Sequence, residues 1–117
     1  MSRVDRRRLD ELLLRANEPD LPWEGFRPGV EIHRLWGDPD GASAALLRYA
    51  PGSRVPRHRH EGVEHVHVLS GAQRDERGLH EAGAHVVNPP GSIHTVESPG
   101  GCLVFVVWER ANTFLDR

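Results

Sequence analysis

The chain has no lysine. All 15 of its basic residues are arginine, which excludes a lysine Schiff base and a lysine general base. It has a single cysteine, Cys102, so no disulfide can form within it, as fits a reducing compartment. An excess of either charge is missing too. With histidine neutral the net charge is −2, and no basic face argues for nucleic acid. No apolar run reaches membrane-spanning length. The charged start Met1-Ser2-Arg3-Val4-Asp5-Arg6 lacks the apolar core of a secretion signal. The expectation is a cytoplasmic protein with neither a nucleic-acid nor a membrane partner. Phosphate-binding glycine loops of the Gly-x-Gly-x-x-Gly or Walker kind are absent, and no nucleophile–base pair stands out.

The 117 residues, 38% apolar and 27% charged, suit one domain with one core. Residues 4–16 carry Leu9, Leu12, Leu13 and Ala16 at helical spacing, and Asn17 and Pro19 end the run. This predicts a short N-terminal helix packed outside the main body or across a dimer. Leu21 to Gly29 reads as an irregular lead-in. From Val30 the pattern is one of short strands separated by Gly and Pro turns, which predicts an all-β sandwich or barrel. The expected strands are 30–36, 42–49, 55–60, 64–69, 73–75, 79–80, 84–87, 94–97 and 102–108, with a turn at Ser70-Gly71. Cys102 to Trp108 is apolar on both faces and so needs cover on both sides. The expected layout is helix and lead-in over 1–20, barrel over 21–110 and a loosely held tail over 111–117.

Two blocks carry the chemistry. The first is Gly52-Ser53-Arg54-Val55-Pro56-Arg57-His58-Arg59-His60-Glu61-Gly62-Val63-Glu64, running on to Gly71. The second is Gly83-Ala84-His85-Val86-Val87-Asn88-Pro89-Pro90-Gly91-Ser92-Ile93-His94. Alternation along a strand points His58 and His60 the same way. Glu64 opens the run Glu64, Val66, Val68 on one face of the next strand. The Pro-Pro-Gly turn presents His94 at a strand start. If these strands are neighbours, three imidazoles and one carboxylate converge. Such a set suits one borderline divalent transition metal, Fe, Mn, Ni, Cu, Co or Zn, rather than Ca or Mg.

The spacing resembles the cupin family. Gly52, His58, His60, Glu64 and Gly71 fit its first motif, and Gly83, Pro89, Gly91 and His94 fit its second, with Ser98 where the family has Asn. The resemblance implies an all-β, single-domain double-stranded β-helix, the cupin jelly-roll barrel. It also implies that His58, His60, Glu64 and His94 ligate the metal. Asp75-Glu76-Arg77-Gly78, Asn88-Pro89-Pro90-Gly91-Ser92 and Gly101-Cys102 are similar to the cupin domain of ChrR-type anti-sigma factors and their stand-alone relatives.

Other residues read less specifically. His65 and His67 alternate with Glu64 and face away from the metal, towards the outside or a subunit contact. His85 can point either way, and His33 and His80 have no partner. Arg48 either reaches into the barrel to hold an anionic ligand or extends outward. Tyr49 and Cys102 read as core packing. Asp75 and Glu76, between Arg74 and Arg77, read as a solvated hairpin.

With one bound carboxylate a divalent ion keeps a net positive charge, which favours water, hydroxide or an anionic small molecule in its open positions. The resemblance therefore implies a metal-dependent enzyme of dioxygenase, isomerase or lyase type acting on a small polar or anionic metabolite. The alternative is a ChrR-like ligand- or stress-sensing module without catalysis. The expected assembly is a homodimer.

Overall fold

The computed structural model describes Glu11 and residues 16–115. The expected N-terminal helix lies outside the described residues, apart from Glu11 and Ala16. Among the described residues ten strands are present: β1 (Glu24–Arg27), β2 (Val30–Gly37), β3 (Ser43–Tyr49), β4 (Ser53–Arg59), β5 (Glu64–Asp75), β6 (Gly78–Glu81), β7 (His85–Asn88), β8 (Ile93–Ser98), β9 (Cys102–Trp108) and β10 (Thr113–Phe114). They follow the order β1-β2-β3-β9-β5-β8-β4-β10, with β6 and β7 also paired to β5. The sheet curls on itself as the expected jelly roll. Strand β5 belongs to both halves: its first part pairs with β9 and β7, its second with β6 and, at Arg74, with β8.

The core follows from the sequence pattern. Val30, Ile32, Ala45, Leu47, Val66, Val68, Val104 and Val106 alternate inward and form one buried cluster. Burying each Val, Leu or Ile side chain contributes about 1.5–3 kcal/mol. Strands β3 and β9 are apolar on both faces, so they are covered twice. On the outer side Leu46 and Leu103 pack with Ala16, and Trp23, Leu35, Leu69 and Phe105 lie against them.

Two irregularities decide which side chains face inward. In β4 the register with β8 shifts between Val55 and His58. Pro56, which cannot donate to the ladder, sits in that shift, and both Val55 and His58 end up buried. In β5 the register with β9 shifts between Val68 and Ser70. Upstream, Glu64, Val66 and Val68 are buried; downstream, Gln73 is the buried one. The turn expected at Ser70-Gly71 is therefore a bulge within one 12-residue strand. Gly71 has φ +71, and a Cβ there would lie 2.2 Å from the Gly101 carbonyl oxygen, so only glycine fits.

Two short strands lie where the sequence shows none. Strand β1 falls in the stretch read as an irregular lead-in and pairs with β2. Within the stretch read as a tail, β10 pairs with β4, placing Phe114 opposite His58.

Candidate metal centre

His58 lies in β4 and His60 just past its end, and His94 stands directly across from His58 on β8. The edge-to-face ring contacts among the three put centroids 4.6–5.0 Å apart. One ring nitrogen from each lies within 4.8 Å of the other two. All three residues are buried. Glu64, at the start of β5, reaches the same point: its Oε1 lies 3.1 Å from His60 Nε2. The four residues singled out in the sequence are thus brought together.

The outer hydrogen bonds fix the orientation of each ring. His58 Nδ1 donates to the Pro56 carbonyl at 2.7 Å. His60 Nδ1 donates to the Ser92 carbonyl at 3.1 Å and the Ser92 hydroxyl oxygen at 2.9 Å. His94 Nδ1 donates to Asp75 Oδ2 at 3.1 Å. Carbonyl and carboxylate oxygens only accept, so the proton of each neutral ring sits on Nδ1 and the lone pair on Nε2. The Nε2 atoms of His60 and His94 are buried without a hydrogen-bond partner among the described residues. His60 Nε2 lies 3.1 Å from Glu64 Oε1 without an aligned hydrogen bond between them. Buried polar atoms are rarely left so. A cation between them satisfies all of them, and three buried histidines with outer partners on Nδ1 can hold a metal ion.

Glu64 is held by more than the histidines. Asn88 Nδ2 donates to Oε1 at 2.8 Å, and the Trp108 indole N–H donates to Oε2 at 2.6 Å. Burial alone pushes this carboxyl up, but His60, His94 and the Trp108 N–H outweigh it and carry it down to about 2. The group is a carboxylate at neutral pH. Burial pushes His58 down to about 4, with the charge of His94 adding to the fall against the Pro56 carbonyl. Burial also lowers His94. Both stay neutral near pH 7, as ligation requires.

The sequence reading placed Asp75 in a solvated hairpin; the structure corrects this. Its side chain is 4% exposed. Besides His94 it accepts from His80 Nε2 at 3.0 Å and from the Arg77 backbone N–H at 2.9 Å. Burial raises its pKa, and these bonds, His80 first, lower it on balance. Glu76 accepts from the Thr95 N–H, and Arg74 faces Glu97 instead. Trp108 also went unread, although a buried indole N–H at the end of an apolar strand needs an acceptor. Arg48 resolves outward, to Glu31 at 2.7 Å and over the Trp23 ring.

A cavity of about 20 Å³ opens beside the centre into the barrel, lined by His58, Glu64 and His94 together with Leu47, Val66 and Val104. It has room for about one water molecule. Tyr49 lines it too. Burial first, then the charges of Cys102 and Glu64, push its phenol well above the usual value, against a hydrogen bond to Gln73. Tyr49 is therefore a neutral donor. Ser98, where the cupin pattern has Asn, donates to the Ala72 carbonyl at 2.6 Å and ties β8 to β5.

A family model described as ChrR Cupin-like domain matches residues 14–111. Among solved structures, a protein of unknown function with a cupin-like fold from Ralstonia eutropha JMP134 is 28% identical, with a TM-score of 0.70. The match covers 76% of this chain and spans 60% of that one. A chain in the complex of Rhodobacter sphaeroides SigE with the anti-sigma ChrR is 25% identical over 92% of this chain and 70% of its own, with a TM-score of 0.69. An acetylacetone dioxygenase from Acinetobacter johnsonii has a TM-score of 0.76 at 17% identity, covering 86% of this chain and 76% of its own. That last likeness is one of fold alone. No curated protein matches the chain.

Proposed function

Since the chain belongs to the family of ChrR cupin-like domains, we propose that it binds one divalent transition metal and acts as a metal-dependent enzyme on a small polar or anionic metabolite. His58, His60, Glu64 and His94 would hold the ion. The observation that carries this is the set of Nε2 atoms turned to one buried point, with His60 and His94 lacking any other partner among the described residues. Nitrogen-rich ligation favours Fe, Mn, Ni, Cu, Co or Zn over Ca or Mg. A bound ion of this kind supplies Lewis acidity, and redox chemistry if it is iron.

The chain's own residues define the rest. Asn88 and Trp108 hold Glu64 charged and fixed. The apolar cavity walls exclude bulk water and admit only a small group beside the centre. Tyr49 offers a hydroxyl hydrogen to an oxygen placed there. A net positive site with one neutral donor suits an anionic or carbonyl-bearing compound, of dioxygenase, isomerase or lyase substrate type.

The test begins with metal analysis of the purified protein, then turnover of a metabolite panel with and without oxygen. Oxygen uptake that depends on substrate supports the dioxygenase form. Oxygen-independent conversion supports the isomerase or lyase form. Metal-loaded protein that converts no compound tells against the enzyme. The family match favours a second reading, a sensing module of the ChrR kind that binds its ligand without turnover. Calorimetric binding of a small anion left unchanged after long incubation would support it. The same proposal includes a homodimer in the cytoplasm, which sedimentation and cell fractionation check.

A further inference from the structure

The outer face of β5 carries a second histidine group that the buried centre does not use. His65 and His67 alternate with Glu64, Val66 and Val68 and stand on the opposite side of the strand. Strand β7 opens with His85, exposed and directly across from His67 in the register. His65 Nδ1 lies 2.9 Å from His85 Nε2, and His67 Nδ1 lies 3.2 Å from His85 Nδ1. We propose that His65, His67 and His85 form a second metal site, which takes one zinc-like divalent transition ion on the outside of the barrel.

The layout repeats that of the buried trio. There, two histidines separated by one residue, His58 in β4 and His60 just past its end, face a third on β8, in register with His58. Here, two histidines one residue apart on β5 face a third on β7, in register with His67. Antiparallel neighbours lie about 4.8 Å apart, so a directly opposed residue and a diagonal one both come within reach of one ring. Two nitrogens bound to a tetrahedral zinc at about 2.0–2.1 Å are about 3.3 Å apart. Each gap, 2.9 and 3.2 Å, approaches that spacing pair by pair, but the two run to different nitrogens of His85, so one nitrogen from each ring does not yet converge on a single point as in the buried trio.

His85 stands between the other two and offers each a different nitrogen. Closing all three on one ion requires a ring to turn about its side-chain torsions, which solvent-accessible rings do in about ps–ns. An all-imidazole trio selects Zn, Ni, Cu or Co and discriminates against Ca and Mg. With three protein ligands a fourth position stays open to water. The remaining histidines outside the buried centre are engaged elsewhere: His33 Nδ1 with the Pro22 carbonyl and His80 Nε2 with Asp75.

The plain alternative is three surface histidines that share protons and bind nothing. To separate the two, metal-stripped full chain is titrated with zinc against a chromophoric chelator, with circular dichroism as the folding control. The wild type should take two equivalents. His85→Ala, and separately the outer-face double variant His65→Gln with His67→Gln, should take one. His58→Ala with His94→Ala should retain the outer equivalent and lose the inner one. Cobalt added to that last variant should give the strong visible absorption of a tetrahedral site, and His85→Ala added to it should abolish that absorption. A wild type that gains no equivalent over His85→Ala overturns the proposal. So does an outer equivalent that survives both outer-face variants. Either result leaves the buried centre standing, because that centre is read from the variants at positions 58 and 94.

Discussion

Replacing Asp75 with asparagine keeps size and shape but changes what His94 can do. The carboxylate accepts at both oxygens: from His94 Nδ1 at Oδ2, and from His80 and the Arg77 N–H at Oδ1. Asparagine has one oxygen and one NH2. The oxygen belongs where two donors already point, which leaves the NH2 facing His94 Nδ1. Two donors then oppose each other at a side chain that is 4% exposed, which is unfavourable. His94 relieves this by moving its proton from Nδ1 to Nε2, the atom turned towards the centre. That tautomer cannot ligate. Loss of a carboxylate partner behind a ligating histidine costs about 10–100-fold in metal affinity, or about 1.4–2.7 kcal/mol. The assay is competition for zinc between the protein and a calibrated chelator near neutral pH. Glu76→Gln is the control, because Glu76 accepts from the Thr95 N–H and has no hydrogen bond to a histidine among the described residues. Nitrogen NMR of His94 reads the tautomer directly. Asp75→Asn binding zinc within about twofold of wild type, or Glu76→Gln losing as much, would refute the reasoning.

Three further outcomes follow from the same geometry. His58→Ala combined with His94→Ala removes two imidazoles from the centre and should leave it empty of metal by elemental analysis, while the wild type carries it there. In metal-free protein, His58 is held down to about 4 in the folded state against about 6.5 unfolded. The fold therefore prefers the neutral ring: this contribution is whole above about pH 6.5 and is lost as pH falls towards about 4. It amounts to about 3 kcal/mol, with His94 acting in the same direction; urea unfolding across that range checks it, and flat stability would contradict it. Gly71→Ala should destabilise by more than about 1 kcal/mol, because φ is +71 and the added carbon meets the Gly101 carbonyl. A thermal midpoint lowered by less than about 2 °C would speak against that close approach.

The jelly roll and the convergence of His58, His60, Glu64 and His94 were legible because they rest on short-range rules. A residue and its second neighbour share a strand face whatever happens elsewhere, and a Pro-Pro-Gly turn marks a strand start. Asp75 was hidden because alternation carried from Glu64 points it outward, and nothing between Leu69 and Ala72 announces the extra residue that turns it back. Its arginine neighbours reinforced the solvated reading, although Arg74 reaches Glu97 and Arg77 reaches Asn88. Strands β1 and β10 were hidden for another reason. They are four and two residues long, too short for a period, and exist only because distant strands offer them an edge.

The shift in β5 gives that strand something like a reading frame. Glu64 and Asp75 lie an odd number of positions apart, yet both serve the inside of the barrel. Removing one residue between Val68 and Gly71 would straighten the strand and leave an even number of positions between Glu64 and Asp75, so Asp75 would still face His94. Removing a second residue from the straightened strand would reverse the sense, send Asp75 into solvent and leave His94 unsteered. One deletion at the shift should therefore be tolerated and a second punished, a rule that a small deletion library could read out as metal retention.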